Sequence, residues 1–321
     1  IQKLDPNGVL LWAHSFGSPF TEYVGKPTTD NFGNIYITGS FSGTIDFDPG
    51  PNVSSAVSNG ERDIFVLKLD SNGDFMWVKS IGGTETDRGL QVVIDEQEDV
   101  VVAGHFRQTA DFDPGVGVSN LISVDSRDIF ILKLDSDGNF VWAKSMGGTA
   151  MQLGGRLAID ASNNIYLGGD FVSSFDADPG PGSLILTSIG GWDIFVCKLN
   201  SNGELDWANS FGGYEDDELY HLEVNDLGET YCTGYFIDSI DIDPGSVGFE
   251  LVGGADENSY VFKLSSSGTT DWYKTFYGSS DALGTGLSLD AHGAVYLTGL
   301  FSGTLDLDPD GGTDLRNALG S

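Results

Sequence analysis

The chain has 321 residues, 40% of them hydrophobic, and carries 15 Lys+Arg against 48 Asp+Glu for a net charge of −33. A surface this acidic repels phosphate backbones and anionic lipid heads, which argues against nucleic-acid binding, and no apolar stretch is long enough to insert directly into a membrane. Abundant glycine, at 45 residues, together with aromatics and Val/Ile runs predicts many short strands joined by tight turns.

In chain order the first landmarks are the Lys3-Leu4 pair and Trp12, and both recur every 65 residues. The Lys-Leu pairs return at Lys68, Lys133, Lys198 and Lys263, and the tryptophans at Trp77, Trp142, Trp207 and Trp272. An Asp-x-Asp-Pro motif begins at Asp46, Asp111, Asp176, Asp241 and Asp306 with the same period. The second copy shows the whole unit. A strand of the Leu90–Asp95 type turns into a second, Asp99–Phe106, and a third carries Thr109–Asp113 into a Pro-Gly turn. A loop with a short apolar piece, 120–124, leads to a fourth strand, Asp128–Leu134. The turn Asp135-Ser-Asp-Gly138 then opens a fifth, Phe140–Met146.

Strand repeats of this length stack radially, so the predicted fold is all-β: a single five-bladed β-propeller spanning 1–321. Blades fall at about 20–81, 85–146, 150–211 and 215–276. Residues 283–321 form a last blade that the N-terminal strands in 1–16 complete. The chain opens within a repeat, which reads as a mature product or an excerpt.

Several recurrent residues have structural readings. The tryptophans fill the space between blades. Gly39, Gly104, Gly169, Gly234 and Gly299 mark a bulge or a close backbone approach. The lysine of each Lys-Leu pair lays its stem across a blade with a solvated ammonium. Cys197 and Cys232 replace aliphatic residues of the repeat and are expected as buried free thiols.

Through Asp128-Ile-Phe-Ile-Leu-Lys-Leu-Asp-Ser-Asp-Gly138, Val141-Trp-Ala-Lys-Ser-Met-Gly-Gly148 and Asn164-Ile-Tyr-Leu-Gly-Gly169, the chain resembles the SBBP-type bacterial β-propeller repeat. It is more distantly similar to NHL repeats in strand order. The resemblance covers all five copies, and this version adds the Asp-x-Asp-Pro segment and its loop. It implies a secreted or cell-surface protein with a non-enzymatic role, of the kind found in adhesins and type IX secretion cargo. The family name suggests seven blades, so the count of five rests on this chain's own arithmetic.

Strand periodicity puts the two carboxylates of each acidic motif on one face. They are Asp46 and Asp48, Asp111 and Asp113, Asp176 and Asp178, Asp241 and Asp243, and Asp306 and Asp308. One reading is calcium, held by hard carboxylates beside a turn that presents carbonyls, with Asp63, Asp128 and Asp193 as completing ligands. The other is a strand end with a Pro-Gly turn, where paired acids discourage edge-to-edge association.

The histidines His14, His105, His221 and His292 occupy four different repeat positions, which implies no zinc cluster. The run Glu215-Asp-Asp-Glu218 with His221 is the best candidate for glycoside chemistry by paired acids, against the plainer reading of a solvated loop. Recognition is the main expectation: a cell-surface glycan or protein bound through several similar sites, with Trp192 as a candidate contact. A rigid spacer that touches neighbouring domains of a surface assembly is the alternative.

Overall fold

The computed structural model describes residues 1–124, 127–243 and 250–319, so Pro244-Gly245 of the fourth acidic motif lies outside the described residues. Among the described residues there are strands and no helix. The chain divides into two compact units, Ile1–Ser145 and Met146–Ser321.

In the first unit the second repeat shows the frame most fully. Strands Arg88–Ile94, Val100–Phe106, Asp128–Leu134 and Phe140–Gly148 lie side by side in that order. The two middle strands are buried along their whole length, because apolar side chains leave both faces. Such strands need packing partners on both sides. Accordingly Tyr36, Ile64 and Val66 of the first repeat share one core with Val100, Val102, Phe106 and Phe130 of the second. The opposite face of the first repeat forms another core from Ile35, Ile37, Phe41, Phe47 and Phe65.

The second unit follows the same plan. One quartet is Gln152–Ile159, Ile165–Phe171, Asp193–Leu199 and Leu205–Phe211, and a second is Glu218–Val224, Thr230–Asp241, Glu250–Leu264 and Thr270–Phe276. Tyr166, Ile194 and Phe211 of this repeat pack with Leu222, Cys232 and Phe262 of the next, and Tyr231 and Val261 pack with Leu287. Cys197 and Cys232 are buried free thiols, as expected. Ala282–Leu289 pairs with Val295–Phe301, and in the first unit Gln2–Leu4 pairs with Leu10–Ala13.

Except in the fourth repeat, where Thr230–Asp241 runs on as one strand, the strand carrying the acidic motif is not a member of its own repeat's quartet, contrary to the five-strand reading. Thr109–Asp111 pairs with Asn120–Ile122, the short apolar piece, to make a small hairpin. That hairpin then pairs with the end of the preceding repeat, Ala110 opposite Gly83 and Asp111 opposite Gly82. Phe175 opposite Gly148 and Asp176 opposite Gly147 repeat the arrangement, and bridges join Gly212 to Asp241 and Gly278 to Leu305. From the second copy on, the hairpin thus clasps the repeat before it, whereas the first, Thr44–Asp46 with Ser55–Val57, is a separate two-stranded sheet among the described residues.

The recurring Gly-Gly pair is what lets the clasp close. A Cβ on Gly83 would stand 2.1 Å from the Thr109 carbonyl oxygen, and one on Gly213 would stand 1.8 Å from that of Ser239. The strand glycines act similarly: a Cβ on Gly104 would meet the Arg88 oxygen at 1.9 Å, opposite a register shift between Gly89 and Gln91. Bulge and close approach coincide there.

The tryptophans do join neighbouring repeats, with a polar contact added. Trp77 Nε1 donates to the Ser136 carbonyl at 3.2 Å, and Trp207 Nε1 to that of Ser266 at 3.1 Å. The lysines correct the expectation of a solvated ammonium. Lys133 is 6% exposed and pairs with Asp95 at 2.7 Å and Asp99 at 3.1 Å. Lys68, also buried, donates to the Ser136 carbonyl and lies 5.0 Å from the centre of the Tyr36 ring. A buried cation requires a partner, and carboxylates, carbonyls and ring faces supply it.

Replacing Gly83 by alanine should lower stability by about 1–3 kcal/mol, since the hairpin must move away from the new methyl group. Gly254→Ala, where nothing lies within 4 Å of the added Cβ, should cost clearly less. Denaturant midpoints of the two variants check this; equal midpoints would contradict it.

Candidate functional site

The acidic motifs lie at the clasps, and their carboxylates work on backbone donors. Asp111 Oδ1 accepts the N–H groups of Asp113 at 3.1 Å and Ser119 at 2.8 Å, while Asp113 Oδ1 accepts that of Gly115 at 2.7 Å. Asp46 with Asp48, Asp176 with Asp178, and Asp306 with Asp308 repeat these bonds. Asp241 Oδ1 accepts from Asp243 at 2.9 Å. The apolar partners point the other way as expected: Ala110, Phe112, Ile240 and Ile242 are fully buried. Among the described residues no group of three or more His, Cys, Asp or Glu is placed to hold a metal ion.

Asp63, Asp128 and Asp193 are buried and accept the N–H of the residue four positions earlier, from Asn59, Val124 and Ile189. Asp87 caps Gly83 N–H at 2.8 Å and Asp217 caps Gly213 N–H at 2.6 Å, so a buried carboxyl braces each of these Gly-Gly turns. Burial pushes Asp63 and Asp193 up to about 6. Burial first, and then the neighbouring acids, push Asp87 to about 7 and Asp217 to about 8.

The run Glu215–Glu218 is dispersed. Asp216 accepts the Trp192 N–H at 3.0 Å, Asp217 is the buried cap, and His221 Nδ1 accepts the Leu287 N–H at 3.3 Å. Trp192 is half-buried and fixed through its backbone to Asp216 and Asp217.

A different set of residues, missed from sequence, breaks the repeat. Where the first two strands of each sheet pair, one position pair directly precedes the invariant glycine step, and its chemistry changes in every copy. It is Tyr23 with Ser40, Arg88 with His105, Leu153 with Asp170, Glu218 with Tyr235, and Leu283 with Leu300. The residue before the Asp-Ile-Phe strand varies alongside as Arg62, Arg127, Trp192 and Glu257.

The local fields differ accordingly. The Arg62 and Arg88 guanidiniums lie 4.8 and 4.1 Å from the centre of the Tyr23 ring, and their hydrogen bonds and charge hold its hydroxyl below the usual tyrosine range. Asp170 is buried, accepts the Leu219 N–H at 2.7 Å, and is pushed by burial to about 8. In the fourth repeat the Tyr220 and Tyr235 rings meet at 5.7 Å, while burial and the charges of Asp281 and Glu218 raise Glu257. The signal available in sequence was the failure of these positions to repeat, set beside the grouping of four of the six arginines between 62 and 127.

An all-β chain of repeated antiparallel sheets, each packed against the next, has the architecture of a repeat protein. No family model matches the chain. It is similar to the regulatory protein FlaEY of Caulobacter vibrioides, 26% identical over 206 residues that make up 63% of this chain and 21% of that protein. It is also similar to the uncharacterized WD repeat-containing protein L264 of Acanthamoeba polyphaga mimivirus, 24% identical over 236 residues, 65% of this chain and 17% of that one. The chain therefore matches about a fifth of the length of each relative. The WD repeat name accords with sheets arranged as propeller blades.

Asp111→Ala should cost about 1–3 kcal/mol through orphaned backbone donors, and by the same amount in calcium as in chelator. A loss confined to calcium-containing buffer would instead make cation binding the role of the motif.

The buried caps Asp63, Asp87, Asp193 and Asp217 keep their protons to higher pH folded than unfolded, where aspartate titrates near about 3.9. Their contribution is complete below about pH 4 and is lost as pH rises through about 6 to 8. The melting midpoint should therefore fall between about pH 5 and pH 8, and fall less in Asp87→Asn/Asp217→Asn. A fall of equal size in this variant would contradict the assignment.

Proposed function

We propose that this chain is a non-enzymatic recognition module of propeller type, exported to the bacterial cell surface as part of a larger protein, with the varied position pair as its binding surface. The observation that carries this reading is the contrast between frame and variation. Clasps, Gly-Gly turns and strand glycines recur, while the position beside the strand glycine is basic, acidic, aromatic or aliphatic in turn. Structural need would keep that position uniform; recognition of a partner of uneven chemistry favours difference. A cell-surface glycan or protein suits such a surface, since glutamate, arginine and tyrosine side chains offer hydrogen bonds and stacking together. Export is supported by the resemblance to SBBP-type repeats.

In this reading the five repeats are the blades of one propeller. Support comes from a recurring pair. Lys68, Lys198 and Lys263 lie over Tyr36, Tyr166 and Tyr231 at 5.0, 5.9 and 5.8 Å, so the same contact is built in successive repeats.

Labelled protein on an array of glycans and whole bacterial cells tests the function. Binding to a subset of spots is expected, lost in Glu218→Gln/Glu257→Gln or in Arg88→Gln at an unchanged melting midpoint. An absence of binding, or binding indifferent to all of these changes, would contradict the proposal and favour a spacer.

A further inference from the structure

In a chain of net charge −33, four of the six arginines gather in one place. Arg88 stands opposite His105 across two strands, and the next pair of strands sets His105 opposite Ile129 and Phe106 opposite Asp128. Continuing that register brings Arg107 and Arg127 opposite each other. Residues paired across strands, and residues two apart along one strand, share a face. Arg88, His105, Arg107 and Arg127 are therefore neighbours on one side of the sheet. Asp87 and Asp128 alternate to the other side, where their carboxylates accept the N–H groups of Gly83 and Val124.

This cluster is left with orphaned polar atoms. His105 is 3% exposed, and both of its ring nitrogens are buried with no hydrogen-bond partner among the described residues. The Nε atoms of Arg88, Arg107 and Arg127 are likewise buried and unpartnered. Among the described residues none of these three guanidiniums forms an ion pair, although carboxylates crowd the rest of the chain. Arg88 lies over the Tyr23 ring and hydrogen-bonds its hydroxyl, beside Arg62, so its contacts are with a neutral side chain. Buried donors without partners, on cations that repel one another, are costly unless an anion supplies the missing acceptors. The three arginines remain half-buried, so a solute can reach them.

We infer that Arg88, His105, Arg107 and Arg127 form a binding site for a tetrahedral oxyanion, a sulfate or phosphate group. Guanidinium forks match two oxygens at a time, so three of them can saturate a tetrahedral group and balance its two charges. The histidine contributes as a neutral ring: burial and then the charges of the three arginines push it down to about 3. One ring nitrogen can thus donate to the anion while the other accepts from a guanidinium. The source of the anion rests on the recognition reading above, in which the group is an ester on a cell-surface saccharide; free inorganic anion is the other source.

Isothermal titration at fixed ionic strength tests this with four probes: sodium sulfate, sodium phosphate, a sulfated monosaccharide and its unsulfated parent. Saturable binding of one sulfate or phosphate per chain is expected, with the sulfated sugar tighter than the free ion and the parent sugar silent. Equal affinity for the sulfated sugar and free sulfate would assign the site to the inorganic ion. Arg107→Gln/Arg127→Gln should weaken binding by about tenfold or more, Arg127→Lys by less because the charge stays while the fork is lost, and Arg316→Gln not at all. Without anion the double variant should melt at or above the parent temperature, since like-charge repulsion is relieved. Absence of saturable binding by the parent protein, or equal binding by the double variant, would overturn the inference. Array binding without oxyanion binding would remove this site and leave the recognition reading; oxyanion binding without array binding would do the reverse.

Discussion

The structure depends on one contact, the pairing of an acid-bearing hairpin with the glycine-bearing end of the repeat before it, made from the second copy on. A four-stranded sheet of this kind is apolar on both faces and cannot be stable alone, so it must hold its neighbours in register. The clasp does so with backbone hydrogen bonds, which are indifferent to side chains except where a Cβ would intrude. Gly83, Gly148 and Gly213 meet that demand, and the buried Asp87 and Asp217 satisfy the amides of two of these turns.

The distribution of charge follows from the same arrangement. Much of the chain's acidity is structural, because aspartate is the side chain best able to accept two backbone amides in a tight turn. Asp70, Asp95, Asp135 and Asp160 each cap a hairpin turn through one oxygen. Carboxylates near the lysine positions then neutralise buried ammonium groups, as at Lys133 and Lys263. The cluster of arginines, which forms no ion pair among the described residues, stands apart from this pattern, and that separates it from the frame.

Period and turn chemistry made most of the frame legible in the sequence. A 65-residue spacing located the strands, and the alternation in Thr109–Asp113 placed Ala110 and Phe112 inward with the acids outward, as found. Two features escaped for physical reasons. The hairpin's partner is the end of the previous repeat, and a period cannot say which neighbour a strand will pair with. The burial of Lys68 and Lys133 depends on tertiary partners, Ser136 and Asp95, that lie far along the chain. The varied pair carries no period, so nothing in the repeat marks its positions. Arg88 and His105 look unremarkable alone; they gain meaning from register and from the lack of partners.

On the proposed reading the repeated residues build the frame and the unrepeated ones recognise the partner. A saturation scan of every position, scored both for binding to cells or glycans and for melting temperature, tests it most directly. Substitutions that abolish binding while preserving stability are expected to gather at Arg88, His105, Arg107, Arg127, Glu218, Tyr235 and Glu257, with changes at the clasps lowering stability. Gathering of such substitutions at the acidic turns instead, with the varied positions silent, would contradict it.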